Sequence, residues 1–245
     1  MNPNLSTPRL SGISLLCALK NRSSILNHSI LSWLVYEEIQ EIIIVDWSSD
    51  IPVQQELQIK DNRIKIFRVE EQAEWNSAKA YNLAARLAAY DLILKIDSDD
   101  LLLNNFFEIK PEKGKNFYAG NWSHAYNNNQ KSLNGICFLT ATDFFTANGY
   151  NELINTYGWE DDDFYNRLNI NLERKSFNLN NLYHLPHSDH LRTINQKHAN
   201  NPIRSIRKNM IKFGINLTWS KKSKMSEYST ISNNPYVLIE KNENL

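Results

Sequence analysis

Apolar runs alternate with amphipathic segments through the first hundred residues. Continuous or β-branched apolar runs predict buried strands, and apolar residues spaced three and four apart predict helices. The predicted strands are residues 13–19, 41–45, 63–69 and 91–96, and the predicted helices are residues 23–36 and 76–89, the second with Asn76 as its N-cap. This strand–helix alternation predicts an α/β fold with a mostly parallel sheet and helices on both faces.

The pattern changes after residue 103. Strands are predicted at residues 116–120 and 135–140, and helices at residues 142–148 and 160–168. Residues 190–226 contain nine lysines and arginines and no acidic residue, and the chain beyond residue 190 is predicted to be helical. We therefore predict a catalytic domain over residues 1–190 and a basic helical extension over residues 191–245.

Composition narrows the class of protein. The chain has 245 residues and 42% hydrophobic residues, enough for a sizeable core. The formal net charge is 0, which argues against nucleic acid as the main partner. No apolar run approaches the roughly 20 residues that span a bilayer, and the polar start does not resemble a signal peptide, so a cytoplasmic location is expected.

Three carboxylates, Asp97, Asp99 and Asp100, directly follow a predicted buried strand. In an α/β sheet, ligands bind beyond the carboxyl ends of the strands. A divalent cation that bridges a diphosphate would relieve the repulsion between these acids. The alternative is a solvated acidic turn, but the position after an apolar strand favours a metal and donor site.

A second acidic run occupies residues 160–163 at the start of a predicted helix. The helix dipole favours negative charge there, which alone would explain Asp162 and Asp163. The dipole does not explain the neighbouring Tyr157 and Trp159. An aromatic ring beside carboxylates is typical of a sugar site, and one of these acids could take a proton from an attacking hydroxyl.

A histidine pair, His184 and His187, flanks Pro186, and His190 follows closely. A lone histidine is more often structural than a ligand. Two histidines three residues apart around a proline suit metal binding better. Which of His184 and His190 would join His187 at a metal is left open.

Polar residues also follow the first two predicted strands. Lys20 and Arg22 come after the first strand and Asp46 after the second, at the same sheet edge as Asp97. Lys20 and Arg22 could neutralise phosphate, and Asp46 could accept a hydrogen bond from a base or ribose.

Together these segments resemble the GT-A glycosyltransferases, both bacterial family 2 and the animal β-galactosyltransferases. The likeness covers roughly residues 11–190. It rests on residues 18–22 (ALKNR, similar to PFRNR), 75–82 (WNSAKAYN, similar to FNRAKLLN), 96–99 (a DxD motif) and 148–168, which is similar to NGF…GWGGEDDDIYNRL and is the most specific of the four. In the gapless alignment Tyr157 falls on the motif tryptophan, Trp159 replaces a glycine, and Lys20 replaces an arginine.

The resemblance implies a role for each matching residue. Asp99 and His187 would bind the metal with His184 as a third ligand, and Asp161 would be the catalytic base. The implied donor-binding residues are Lys20, Arg22, Asp46, Lys79 and Asp97, and the implied acceptor- or sugar-binding residues are Tyr157, Trp159, Glu160 and Asp162.

The expected reaction is transfer of a hexose, of galactose or N-acetylhexosamine type, from a UDP-sugar to a sugar hydroxyl with inversion. The expected cofactor is Mn²⁺ or Mg²⁺, and the acceptor is an oligosaccharide or lipid-linked glycan in surface polysaccharide synthesis. A nucleotidyltransferase would need a glycine-rich phosphate loop, which seven scattered glycines do not supply. A non-catalytic sugar-binding module would need neither a diphosphate-type metal site nor a base.

The basic stretch over residues 192–224 carries a partial apolar stripe formed by Ile203, Ile206, Met210 and Phe213. This pattern fits peripheral contact with the inner face of an anionic membrane. Packing of the stripe on the catalytic domain, with the charges merely solvated, is the commoner explanation of such a helix.

Overall fold

The computed structural model describes residues 8–154 and 158–187, together with the two short segments 228–230 and 237–240. Nine of the described strands form one sheet. In chain order they are β1 (Leu10–Leu19), β2 (Ile39–Trp47), β3 (Ile64–Val69), β4 (Tyr90–Lys95), β6 (Asn116–Ala119), β7 (Cys137–Thr140), β8 (Glu173–Ser176), β10 (Tyr228–Thr230) and β11 (Val237–Glu240). Their order across the sheet is β10-β11-β3-β2-β1-β4-β7-β6-β8. Two shorter strands, β5 (Asp100–Leu102) and β9 (Leu182–His184), form a separate antiparallel pair.

The central strands are parallel, as predicted. β1 pairs in parallel with β2 and with β4, and β2 pairs in parallel with β3. Beyond β4 the strand β7 is antiparallel. The carboxyl ends of β1, β2 and β4 therefore meet at one edge, where the loops that follow them carry the polar residues noted above.

Successive side chains of the central strands point to opposite faces of the sheet. Both faces are therefore apolar, and helices cover each of them. The helices are α1 (Ser23–Leu34), α2 (Val53–Glu56), α3 (Ser77–Leu87), α4 (Asn128–Ser132), α5 (Ala141–Thr146) and α6 (Glu160–Leu168). Leu15 and Cys17 of β1 join a core cluster with α1, whereas Leu16 and Ala18 join a second cluster with α3, α5 and α6. The sheet is thus buried on both sides, which confirms the predicted α/β class.

The helix starts follow the sequence closely. Asn76 caps α3 by accepting a hydrogen bond from the Lys79 backbone N–H at 2.9 Å, as predicted. The helix α6 begins at Glu160 and ends at Leu168, the predicted bounds. On α1, Leu26, Ile30 and Trp33 are buried, whereas Leu31 is exposed.

The strand predicted at residues 135–140 is shorter than expected. Residues Leu133–Gly135 form a 3₁₀ turn, and β7 begins only at Cys137. This turn places Gly135 against charged side chains of the site described below.

The predicted helical extension falls largely outside the described residues, as do His190 and the basic stretch 192–224. The segments described in this range, β10 and β11, are strands, and β11 extends the main sheet by pairing with β3. The division at residue 190 remains a prediction. Among the described helices, none is long and apolar enough to cross a membrane.

Candidate active site

A carboxylate and two imidazoles meet beyond the end of β4. Asp99 lies in the turn between β4 and β5, and His184 ends β9, the strand that pairs with β5. The pairing sets Asp100 opposite His184, and the Leu185 backbone N–H donates to the Asp99 carbonyl at 2.6 Å. As a result, potential ligand atoms of Asp99, His184 and His187 lie within 4.8 Å of one another. The three predicted metal ligands are therefore brought together.

Asp99 is buried and surrounded by positive or potentially positive groups. Its Oδ2 atom lies 2.8 Å from Arg22 Nη1 and 2.8 Å from His187 Nε2. Its Oδ1 atom lies 3.7 Å from His184 Nδ1. A carboxylate that is only 2% exposed needs such partners, because an unpaired buried charge is costly.

The chemistry of this cluster fits a divalent cation. His184 Nδ1 lies 2.8 Å from Asp100 Oδ1, which is the carboxylate–histidine arrangement that commonly supports a metal-bound imidazole. The other carboxyl oxygen, Asp100 Oδ2, is buried and has no hydrogen-bond partner among the described residues. Burial raises the pKa of Asp100 to about 7, with further raising by Asp99 and Asp97, while the hydrogen bond with His184 opposes the rise. A cation would relieve this concentration of buried acid.

Asp97, Asp99 and Asp100 form a second cluster with metal-ligand spacing. Asp97, however, is already engaged. Its Oδ1 atom lies 2.9 Å from Lys95 Nζ and accepts a hydrogen bond from the Tyr81 hydroxyl at 2.7 Å. Burial would raise the pKa of Asp97, but Lys95 and Tyr81 outweigh it and lower the pKa to about 2. The set with two histidines is therefore the better candidate for a metal.

The acidic start of α6 faces the same region. Asp161 Oδ1 lies 3.5 Å from Lys95 Nζ and accepts from the Tyr150 hydroxyl at 3.3 Å. Burial raises the pKa of Asp161 well above its usual value; Lys95 opposes the rise, and Glu160 adds to it. A buried carboxyl whose pKa is raised by burial and shifted by a specific charge partner is typical of a group that exchanges protons.

The flanking acids of α6 differ in role. Glu160 Oε1 accepts from the Ser77 hydroxyl at 2.8 Å, and its Oε2 atom is buried without a hydrogen bond in the described part of the chain. Burial raises the pKa of Asp162 to about 6, although Arg174 opposes the rise. Asp163 instead forms a buried ion pair with Arg167 at 2.9 Å, which is a structural role.

Comparisons with known proteins identify the type of fold that carries this site. A family model described as the N-terminal domain of galactosyltransferase matches residues 116–188. A Drosophila β1,4-galactosyltransferase 7 mutant, in complex with manganese, UDP-Gal and xylobiose, superposes with a TM-score of 0.57 at 16% identity, covering 94% of this chain and 93% of that one. A mannosyltransferase of Pyrobaculum calidifontis, in complex with GDP-Man and Mn²⁺, superposes with a TM-score of 0.54 at 12% identity, covering 71% and 59%. The chain has the GT-A glycosyltransferase fold.

Sequence relatives support the same GT-A assignment. The poly-β-1,6-N-acetyl-D-glucosamine synthase of Staphylococcus aureus is 32% identical over 102 residues, which are 41% of this chain. The aligned residues span 24% of the length of that synthase. The family model and this relative indicate a glycosyltransferase, and the superposed structures show the GT-A fold. Together they confirm the resemblance noted in the sequence.

The predicted donor-binding residues lie along the GT-A sheet edge, but several are engaged inside the protein. Lys20 Nζ donates to the Gln72 carbonyl at 2.6 Å, and burial lowers the pKa of Lys20. Asp46 is fully buried and accepts from the backbone N–H groups of Ser49 and Val53 and from Arg68 Nη1 at 2.6 Å. Both oxygens of Asp46 thus hold the loop after β2. By contrast, Arg22 lies 2.8 Å from Asp99, and Asp97 belongs to the acidic cluster with Asp99.

Two further predicted residues lie at helix starts. Lys79 is in the first turn of α3, and Trp159 is the N-cap of α6. Trp159 has a φ of 77°, in the left-handed region where glycine is usual, and it stands where the resemblance shows a glycine. Tyr157 lies outside the described residues, so its predicted sugar contact remains a prediction.

One charged residue at the centre of this GT-A site was missed by the sequence reasoning. Lys95 is the last residue of β4 and is only 4% exposed, yet its Nζ atom reaches both Asp97 and Asp161. A lysine among the buried positions of an apolar strand was the signal that could have revealed it, because a buried lysine requires partners.

Proposed function

We propose that this chain is a metal-dependent, inverting glycosyltransferase that moves a hexose from a UDP-sugar to a sugar hydroxyl. The observation that carries the proposal is the close grouping of Asp99, His184 and His187 at the sheet edge, with the separate carboxylate of Asp161 linked to the same region through Lys95. A metal site for a diphosphate and an independent base are the two parts that such a reaction requires.

Asp99, His184 and His187 would hold the ion. When bound, a divalent cation neutralises the negative charge that grows on the leaving diphosphate. One carboxylate with two imidazoles suits Mn²⁺ better than Mg²⁺, which prefers a shell of oxygen ligands. Arg22, 2.8 Å from Asp99, supplies a second positive group for the diphosphate.

The donor lies along the loops after β1, β2 and β4 in this proposal. Asp97 would accept from hydroxyls of the donor sugar through Oδ2, because Oδ1 is held by Lys95 and Tyr81. Lys20, Asp46 and Lys79 would contribute to the nucleotide side, with Asp46 acting mainly by holding its loop. The transferred sugar is of galactose or N-acetylhexosamine type, in line with the substrates that the relatives' names give.

The acceptor would approach the start of α6. Asp161 takes the proton from the attacking hydroxyl, and Glu160 and Asp162 accept hydrogen bonds from neighbouring hydroxyls. The buried, unpartnered Oε2 atom of Glu160 is suited to a hydroxyl donor. Trp159 and Tyr157 would pack against the apolar face of the sugar.

Inversion is expected because the metal ligands and the base are separate residues. A single displacement needs a base on the acceptor side, opposite the leaving diphosphate, and Asp161 belongs to a different element from the metal cluster. The proposed setting is cytoplasmic synthesis of a surface polysaccharide on an oligosaccharide or lipid-linked acceptor. Peripheral membrane contact through residues 192–224 belongs to the same proposal.

Product stereochemistry and one substitution test the mechanism together. Proton NMR of the product from a donor of known anomeric configuration should show inversion. Asp161→Asn should bind UDP normally and lose about 10²–10⁴-fold in turnover, the usual contribution of a general base. Asp162→Asn serves as the neighbouring control for a shift of one residue. Retained configuration would refute the single displacement, and full activity in Asp161→Asn would remove that residue from the base role.

A further inference from the structure

Lys95 occupies the centre of the site, and the proposal above uses it only as a link between Asp97 and Asp161. Its side chain is 5% exposed, and its Nζ atom lies 2.9 Å from Asp97 Oδ1, 3.5 Å from Asp161 Oδ1 and 4.5 Å from the centre of the Tyr81 ring. A buried ammonium is costly unless it is paired, so a lysine at the end of an apolar strand indicates a specific task.

The two carboxylates that Lys95 bridges are held in the same way. Asp97 Oδ1 also accepts from the Tyr81 hydroxyl, and Asp161 Oδ1 also accepts from the Tyr150 hydroxyl. Within the described residues, no hydrogen bond is made by Oδ2 of either carboxylate. Each carboxylate is therefore anchored through one oxygen and keeps the other for a ligand.

Both Oδ2 atoms face Gly135, in the 3₁₀ turn before β7. A Cβ atom at position 135 would lie 2.7 Å from Lys95 Nζ, 2.8 Å from Asp97 Oδ2 and 3.4 Å from Asp161 Oδ2. Gly135 has no left-handed φ, so the position requires glycine for space rather than for conformation. The absence of a side chain at Gly135 leaves room for the bridge and for the two free oxygens.

We propose that Lys95 is a positioning residue that fixes the donor-side carboxylate of Asp97 and the base Asp161 relative to each other. By binding one oxygen of each, it sets the direction in which the remaining oxygens face the reacting sugars. This inference rests on the proposed function. The inference goes beyond the proposed function because it assigns the alignment of donor and base to one buried cation, Lys95 on β4.

The charges around Asp161 determine how the loss of Lys95 would be observed. The titratable groups that interact with Asp161 come from five parts of the fold: Lys95 on β4, Asp97 in the turn after it, Cys137 on β7, Tyr150 before α6, and Glu160, Asp162 and Tyr165 on α6. Among the largest effects on the pKa of Asp161, Lys95 is the one that lowers it. Its removal should raise that pKa, and the acid side of the activity profile should move to higher pH, because a base acts only when deprotonated.

Two substitutions disturb the bridge in different ways. Lys95→Met removes the charge. Gly135→Ala keeps every charge but pushes against Lys95 Nζ and Asp97 Oδ2, the far ends of two side chains of the bridge. Lys115→Met is the matched control, because Lys115 pairs with Glu112 on the surface, away from the site.

Steady-state kinetics as a function of pH provide the first readout. We expect kcat to fall about 10- to 100-fold in Lys95→Met and less in Gly135→Ala, since small misplacements of reacting groups cost this much. The affinity for UDP with Mn²⁺ should stay near the wild-type value, because Asp99 and the histidines are unchanged. In the Asp161→Asn background, Lys95→Met should cost less kcat than it does in wild type, because only its effect on Asp97 remains, whereas a general structural role would give additive losses.

A second readout does not depend on catalysis. In protein labelled with ¹³C at aspartate carboxyls, the Asp161 signal, assigned through Asp161→Asn, should titrate at higher pH in Lys95→Met than in wild type or Lys115→Met. An unchanged Asp161 titration, or a folded Gly135→Ala and Lys95→Met with wild-type kcat, would overturn the inference. A wild-type protein that transfers no sugar but shows the titration shift would instead refute only the proposed function.

Discussion

Asp162 should reduce the stability of the fold at neutral pH. The carboxyl lies at the start of α6, and burial raises its pKa from 3.8 to about 6 against the opposing effect of Arg174. A carboxyl whose pKa is higher in the folded protein binds its proton more tightly there than in the unfolded chain. Its ionised form therefore destabilises the folded state at any pH above the folded pKa.

The size of this destabilisation follows from the pKa shift of Asp162. Each pKa unit corresponds to about 1.36 kcal/mol, so a shift from 3.8 to about 6 gives an upper bound of about 3 kcal/mol. Asp162 is partly exposed, and solvent screening reduces this value. We expect Asp162→Asn to raise the free energy of unfolding by about 1–2 kcal/mol near neutral pH.

Urea denaturation at two pH values measures the effect. The gain from Asp162→Asn should be full at about pH 7.5 and should shrink toward zero at about pH 4, where the wild-type carboxyl is already protonated. Asp163→Asn is the control with the opposite sign, because it leaves Arg167 without its buried partner and should destabilise by about 3–5 kcal/mol. A destabilised or unchanged Asp162→Asn at neutral pH would refute this reasoning.

Two further predictions concern the metal and the sugar. Asp99→Ala should remove metal-dependent UDP binding in calorimetry. The control Asp91→Ala, at the exposed opposite end of β4, should bind UDP as wild type does. Unchanged metal-dependent affinity in Asp99→Ala would exclude Asp99 as a ligand. Trp159→Gly should keep or improve the melting temperature, because glycine relieves a left-handed conformation that costs about 1–2 kcal/mol for other residues, yet it should raise the KM for the acceptor. An unchanged KM would show that the Trp159 ring does not contact the sugar.

Local sequence patterns predicted the scaffold well. Continuous apolar runs identified β1, β2 and β4, and the acidic helix start was placed at Glu160, where α6 begins. Strand burial, the asparagine N-cap and the charge preference of the helix dipole all leave patterns within a few consecutive residues, so they can be predicted from local sequence. The strands β5 and β9 are only three residues long and carry no such pattern, although their pairing is what brings His184 to Asp100.

The site residues likewise divide into those that a local motif reveals and those that only the folded arrangement reveals. Asp99, His184 and His187 were predicted from short motifs, and the fold brings them together. Lys95 was missed because a single lysine in a strand is unremarkable until the partners that surround it, Asp97 and Asp161, are placed by distant elements. Asp46 shows the opposite case: its position at a strand end suggested a ligand, but three donors within the protein already use its oxygens.

The most direct test of the account is a donor screen scored by release of UDP. Wild-type protein would be incubated with UDP-hexoses, with and without sugar acceptors, in Mn²⁺ and again after chelation. Slow release without an acceptor would report transfer of the hexose to water. The account predicts UDP release with at least one galactose- or N-acetylhexosamine-type donor, faster with a sugar acceptor and lost on chelation. No UDP release from any of these donors, or release that is unchanged by the chelator, would contradict a metal-dependent glycosyltransferase.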